Sequence, residues 1–335
     1  MVKRAVWVVV GVVALGCGDD DGLEDDGAPM VDLGPGADLG SSADLGTAEV
    51  DAFTPGVDLG PPGTGCGRDP GGSDQRLSVE HDGRTRTFLV HLPDGYDRDT
   101  PAPLVLNFHG RTMTATQQEY VTAMDAEADA EGFIAVHPQG VGNTWNVGFC
   151  CGEAMSADVD DVGFTAAMLD DLATRFCVDT ARVYSTGLSN GGFMSHRLGC
   201  ELSDRIAAIA PVAGTNVTTI CSPDRAVPVF HFHGTNDTLV PYEGYTGGFA
   251  SVDSTMNGWV TRNGCGATSA VYFDEGDVTC EEWTGCDDGA SVRLCTVDGG
   301  GHQWPGGATL PGLGSNTDVV VATDAMWDFF AAHSL

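Results

Sequence analysis

The sequence predicts a single α/β domain, a mostly parallel sheet with helices on both faces, behind a leader that does not fold. Three observations carry this. Short apolar, β-rich runs alternate with amphipathic helical patterns from residue 86 onward, as strands and crossover helices do. A glycine-flanked serine, Ser189, stands where one such strand gives way to a helix. The first 65 residues show neither pattern.

The chain has 335 residues and a formal net charge of −33. Residues 1–17, MVKRAVWVVVGVVALGC, place Lys3 and Arg4 before an apolar run from Ala5 to Leu15. That run is too short to span a bilayer and has the build of a secretory signal. It ends in ALGC, small residues before a cysteine, which resembles a bacterial lipobox. The resemblance implies that the signal is removed and Cys17 becomes a lipidated N-terminus; release as a soluble secreted chain is the alternative.

Residues 18–65 contain 12 acids and no lysine or arginine, with Asp-Leu-Gly recurring from residues 32, 38, 44 and 58. Like charges, glycine and proline leave too little apolar surface to offset chain entropy, so a flexible, extended tether is expected. The aspartates match no calcium-loop spacing.

Residues 66–335, the expected domain, carry 36 acids against 13 arginines, and Lys3 is the only lysine in the chain. Such a surface argues against nucleic acid or an anionic membrane as partner and suits a neutral substrate. Of 11 cysteines all but Cys17 fall here. An even number behind an export signal implies disulfides, and no zinc-type Cys-x-x-Cys pair is present.

Strands are expected at 86–93, 103–110, 133–138, 182–187, 206–214 and 227–234. Helices are expected near 116–131, 160–176, 191–202, 252–263 and 318–333. The last third adds a strand pair, 269–281 and 290–298, turning at Asp287-Asp288-Gly289. That turn sets Cys280 opposite Cys295 and leaves Cys265–Cys286 to close the neighbouring loop. The other pairings are not readable from sequence. Asp158, Asp160 and Asp161 precede a helix, and capping its free amides is preferred to a metal site.

GLSNG, residues 187–191, fits G-x-S-x-G, a pattern short enough to need context. RVYST before it reads as a strand. GFMSHRLGCEL after it puts Phe193, Met194, Arg197 and Leu198 at helical spacing. Glycines on either side remove side chains that would clash where strand and helix cross. A plain turn is thereby disfavoured.

A serine hydroxyl is a weak nucleophile, so it needs a base, and the base an orienting acid. In α/β-hydrolases these follow in the order acid, then histidine. His302, in DGGGHQWPGG directly after a strand, is the candidate base. His333, two residues from the C-terminus, is expected to face solvent. Asp237, three residues beyond the strand VPVFHFHG, is the candidate acid, ahead of Glu243 and Asp253. His231 and His233 on that strand read as core or rim histidines. Donors for an oxyanion are expected from the amide of Asn190 and, in the loop after LNFHG, from that of Arg111.

In order over about residues 76–333, LNFHG, TWN…CCG…DVDDVGF, RVYSTGLSNGGFMSHRLGCELSDRIAAIAPVAG, HFHGTNDTLVPY and GGGHQWPGG together resemble one known group. This is the polyhydroxybutyrate-depolymerase/feruloyl-esterase group of secreted α/β-hydrolases, related to family 1 carbohydrate esterases. The resemblance implies the α/β-hydrolase fold, Ser189 as nucleophile, Asp237 as acid, His302 as base, and neither metal nor organic cofactor. It implies an extracellular ester as substrate, either a polyhydroxyalkanoate-type polyester or a feruloyl or acetyl ester on polysaccharide. Trp145 and Trp304 are candidates for an aromatic wall beside such a substrate, with rim packing as the even alternative. Two other classes stay open. A serine peptidase of this fold usually carries a further propeller or lid domain, and a non-catalytic glycan-binding lipoprotein would not require Ser, Asp and His at three strand ends.

Overall fold

The computed structural model describes residues 65–150 and 152–335, all within one compact unit, Pro61–Leu335. The expected signal, Cys17 and the tether up to residue 64 lie outside the described residues.

The described chain opens with a hairpin of β1 (Asp74–His81) and β2 (Arg84–His91), paired without a slip from Asp74 opposite His91 to His81 opposite Arg84. Its turn is Asp82-Gly83, both left-handed at φ 49° and 68°. This is the aspartate-glycine pair that two-residue hairpins favour. β1 is additional to the expected strands, because its residues are alternately exposed and half-buried and leave no apolar run to read.

Then follow β3 (Ala102–Phe108), β4 (Ile134–Pro138), β5 (Val178–Leu188), β6 (Ala208–Val212) and β7 (Val229–Gly234), and finally β8 (Ala270–Glu275), β9 (Val278–Trp283) and β10 (Val292–Val297). Among the described residues they form one sheet in the order β1-β2-β4-β3-β5-β6-β7-β10-β9-β8. The run β4-β3-β5-β6-β7-β10 is parallel, flanked by antiparallel strands on both sides. β3, β4, β6 and β7 are buried throughout, as strands covered on both faces must be.

The helices are α1 (Ala115–Thr122), α2 (Met124–Glu131), α3 (Glu153–Ser156), α4 (Asp161–Arg175), α5 (Asn190–Glu201), α6 (Val252–Arg262) and α7 (Ala322–Phe330). One core packs Phe164, Met168, Leu198 and Trp259 of α4, α5 and α6 on the sheet, and a second packs Met124, Met326 and Phe330 of α2 and α7. This is the α/β-hydrolase architecture.

Two expected elements differ. The helix at 116–131 is broken at Ala123, left-handed at φ 51°, whose N–H closes back on the Glu119 carbonyl. The strand at 269–281 is itself the hairpin β8–β9, turning at Gly276-Asp277 with Gly276 at φ 57°.

Four described disulfides tie these elements: Cys66–Cys177, Cys200–Cys221, Cys265–Cys286 and Cys280–Cys295. The last two are the pairs the hairpin reading expects, and Cys280 faces Cys295 in the β9/β10 register. Replacing both Cys280 and Cys295 by serine should cost about 2–5 kcal/mol of stability in urea unfolding. An unchanged midpoint and slope would contradict a structural role for the bridge.

Candidate active site

β5 runs into α5 through one residue. Ser189 sits at φ 56°, ψ −117°. Its N–H bonds the Val212 carbonyl at 2.8 Å, and its own carbonyl accepts the Phe193 N–H at 2.9 Å. A side chain on Gly187 would approach the Phe108 carbonyl oxygen to 2.5 Å; one on Gly191 would meet the same oxygen. A side chain on Gly214 would come within 2.5 Å of the Ser189 carbonyl oxygen. The glycines are there because β3, β5, β6 and α5 cross too closely for anything larger. That turn leaves Ser189 half-buried rather than enclosed.

Asn190 is the first residue of α5, so its N–H has no partner within the helix and lies at the positive end of the helix dipole. Gly110 follows β3 closely enough that a Cβ there would lie 3.6 Å from that of Ser189. The loop holding Arg111 therefore packs against the serine. Its path is fixed by the Thr112 N–H on the Asn143 carbonyl at 2.9 Å and the Met113 N–H on that of Gly110 at 3.1 Å.

Asp237, three residues past β7, and His302, five past β10, are 5 % and 3 % exposed. His302 Nδ1 donates to Asp237 Oδ2 at 2.6 Å. A carboxylate only accepts, so Nδ1 carries the proton and Nε2 of the neutral ring is left to receive one. Asp237 Oδ1 accepts the N–H groups of Leu239 and Val240 at 2.8 and 2.9 Å. Burial by itself would raise the Asp237 carboxyl. The positive charge His302 carries when protonated, and the bonds from His233 and His302, outweigh it and hold its pKa well below the ordinary carboxylate range. The partner of His302 is thus Asp237 rather than Glu243 or Asp253.

His231 and His233 are buried, as expected. His233 Nε2 donates to the Val240 carbonyl at 2.8 Å and lies 3.4 Å from Asp237 Oδ2, while its Nδ1 meets His231 Nε2 at 3.0 Å. His233 therefore braces both the acid and the turn that carries it. His333 departs from expectation: it is half-buried, its ring 4.7 Å from that of Phe329, and burial pushes its pKa down to about 4.

Ser189, Asp237, His302 and the Arg111 loop all leave the carboxyl ends of parallel strands, β5, β7, β10 and β3. In such sheets this is the edge where ligands bind.

The aromatic wall expected of Trp145 and Trp304 requires correction. Both are fully buried. The Trp145 indole N–H donates to the His109 carbonyl at 2.9 Å, and its ring stands edge-on to Phe108 at 5.0 Å. The Trp304 indole N–H donates to Thr323 Oγ1 at 3.0 Å. They are supports, with no face to offer a substrate. The Asn190 side chain, unassigned from sequence, grips Trp145: Oδ1 accepts its N–H at 2.6 Å and Nδ2 donates to its carbonyl at 3.2 Å.

Of the three aspartates at the start of α4, only Asp160 caps it, accepting the Gly163 N–H at 2.8 Å. Asp161 is buried instead, paired with Arg86 at 2.6 Å and accepting the Asn146 N–H at 2.7 Å. Asp158 reaches Asn146 Nδ2 at 3.3 Å. A different group, Asp74, His91 and Asp125, brings ligand-type atoms within 4.8 Å of one another beside a cavity of about 190 Å³. His91 there bonds Asp74 at 2.7 Å and Asp129 at 2.9 Å through its two ring nitrogens. Burial alone would lower its pKa, yet these bonds and the Asp125 charge outweigh it and raise it. This cluster is on β1, β2 and α2, outside the strand ends that carry Ser189, Asp237 and His302.

Fold and site define an α/β-hydrolase. No protein-family profile matches the chain. It is 35 % identical over 234 residues to feruloyl esterase B of Piromyces equi, a match covering 65 % of this chain and 42 % of that one. It is 30 % identical over 269 residues to the esterase-type protein NocK of Nocardia uniformis subsp. tsuyamanensis, covering 72 % and 76 %. Acetyl xylan esterase from Aspergillus awamori superposes with a TM-score of 0.56 at 15 % identity, over 78 % of this chain and 99 % of that one, a likeness of fold. The chain thus spans less than half the length of the Piromyces protein. It belongs with the esterases, as the Nocardia relative shows, and among them it is similar to feruloyl esterases.

Gly191→Ala should destabilise the fold by about 1–3 kcal/mol, since its methyl group meets backbone that cannot retreat. Gly72→Ala, whose nearest contact would be 3.9 Å away, is the control. Equal melting temperatures for the two variants would contradict the close crossing.

Proposed function

We propose that the protein is a serine carboxylic-ester hydrolase working through an acyl-enzyme. The observation that carries this is the strained Ser189 on the same sheet edge as a buried Asp237–His302 pair. Ser189 Oγ attacks the ester carbonyl while His302 Nε2 takes its proton. Asp237 holds the ring in the receptive tautomer and stabilises the imidazolium. The amides of Asn190 and Arg111 meet the developing oxyanion. His302 then returns the proton to the leaving alcohol, and water repeats the sequence on the acyl-enzyme.

The relatives named feruloyl esterase support a feruloyl or acetyl ester on polysaccharide as the substrate. A polyhydroxyalkanoate-type polyester is the other ester class, and a hydroxybutyrate oligomer tests it in the same assay. Disulfides require an oxidising compartment, which supports an extracellular site of action. In this reading Cys17, outside the described residues, carries the lipid anchor.

Ser189→Ala should lower turnover of methyl ferulate or acetylated xylan by about 10⁴–10⁶-fold with the fold intact, and Asp237→Asn by about 10⁴-fold. A Ser189→Ala protein keeping a tenth of the rate would overturn the assignment. Because Asp237 stays ionised far below assay pH, its own protonation should not set the loss of kcat/KM as pH falls. The acid limb should therefore keep its midpoint when Glu243 or Asp253 is made an amide; a shift in either would point to another acid. Cys17→Ser should release active enzyme from the membrane fraction. A wild-type chain that carries no lipid by mass spectrometry would remove the anchor while leaving the hydrolase reading standing.

A further inference from the structure

Two loops at the ligand-binding edge carry aromatic side chains that the catalytic machinery does not use. The loop between β4 and α3 carries Phe149. The loop between β7 and α6, which begins with Asp237, carries Tyr245 and Phe249. Phe249 is 6 % exposed and stacks on Phe193 of α5, ring centres 5.1 Å apart and planes at 27°. Phe193 bonds the Ser189 carbonyl through its N–H, so this stack rests on the first turn of the nucleophile's helix. Phe149 and Tyr245 stand on Phe249 at 6.1 and 5.5 Å, with planes at 87° and 77°. A T-shaped contact leaves at least one face of each outer ring clear of Phe249. Both remain open to solvent, Phe149 at 38 % and Tyr245 at 46 %.

Resting on the esterase reading above, we infer that Phe149 and Tyr245, seated on Phe249, form the subsite for the aromatic ring of a hydroxycinnamoyl acyl group. The chemistry agrees. A planar ring conjugated to the ester carbonyl is recognised by stacking and edge contacts, and it displaces water from two exposed rings as it binds. The base is rigid, because Phe249 and Phe193 belong to the buried core. Upstream of Phe149 the loop is tied down at Asn146, whose N–H bonds Asp161 and whose carbonyl accepts Arg197 Nη1 at 2.6 Å. These rings take the place in the binding site that sequence reasoning gave to Trp145 and Trp304.

The test compares an aromatic with an aliphatic acyl group. Phe149→Ala and Tyr245→Ala should each lower kcat/KM for methyl ferulate roughly three- to tenfold, mainly through KM. Ethyl acetate hydrolysis should change less than about twofold, because its acyl group has no ring to stack. Phe149→Tyr and Tyr245→Phe should restore the ferulate value. In the Ser189→Ala background the same substitutions should weaken binding of free ferulic acid by a similar factor, a readout that needs no turnover. Equal losses on both esters would mean a structural role, and unchanged ferulate kinetics and binding would mean no subsite; either overturns the inference. A loss seen on acetylated xylan but not on methyl ferulate would make the rings a sugar platform and also overturn it. A wild-type protein that binds ferulic acid through these rings but hydrolyses no ester would instead overturn the esterase reading.

Discussion

The structure turns on one crowded crossing. At the end of β3 the Phe108 carbonyl oxygen sits where a side chain on Gly187 or Gly191 would be. β5 and α5 can pass so near β3 only with glycine at both places, and the residue between them must then turn in a single step. A non-glycine residue at φ 56° costs on the order of 1–3 kcal/mol and persists only where surrounding packing holds it. Here cores on both faces of the sheet hold it. The same closeness presses Gly110 against the serine and brings the Arg111 loop beside it.

Around that crossing, buried polar bonds fix what hydrophobic packing alone would leave loose. Asn190 grips the backbone of Trp145, Trp145 reaches the His109 carbonyl, and Asp161 joins Arg86 to the Asn146 amide. Burial raises the pKa of Asp161, despite Arg86, and the Arg86 guanidinium also lies 4.0 Å over the Phe164 ring. A chain with so many acids thus uses few of them inside, each with its partners. Asp237 is the case with chemical consequence: two backbone amides, His233 and His302 converge on one carboxylate and keep it ionised.

How much of this the sequence disclosed follows from the range of the forces involved. The elbow was legible because steric crowding demands glycine at fixed offsets from Ser189. The Cys280–Cys295 pair was legible because strand register is local. β1 was not, since Leu77 and Val79 are its only apolar residues and too short an alternation to read, although Asp82-Gly83 was a usable turn signal. The break at Ala123 has no glycine or proline to announce it. Trp145 and Trp304 were open to either reading because sequence gives an indole's identity, while long-range packing decides whether its face is free. The buried partnership of Asp161 with Arg86, 75 residues away in sequence, was unreadable for the same reason.

The central claim is that Ser189 is the nucleophile and that Asp237 makes it one by way of His302. Intact-mass and peptide-mapping measurements after exposure to a fluorophosphonate test it directly, without knowledge of the natural ester. The account predicts one adduct per chain, on the peptide containing Ser189, forming far more slowly in Asp237→Asn protein of unchanged fold. An unmodified wild-type chain, or an adduct on any other serine, would contradict it.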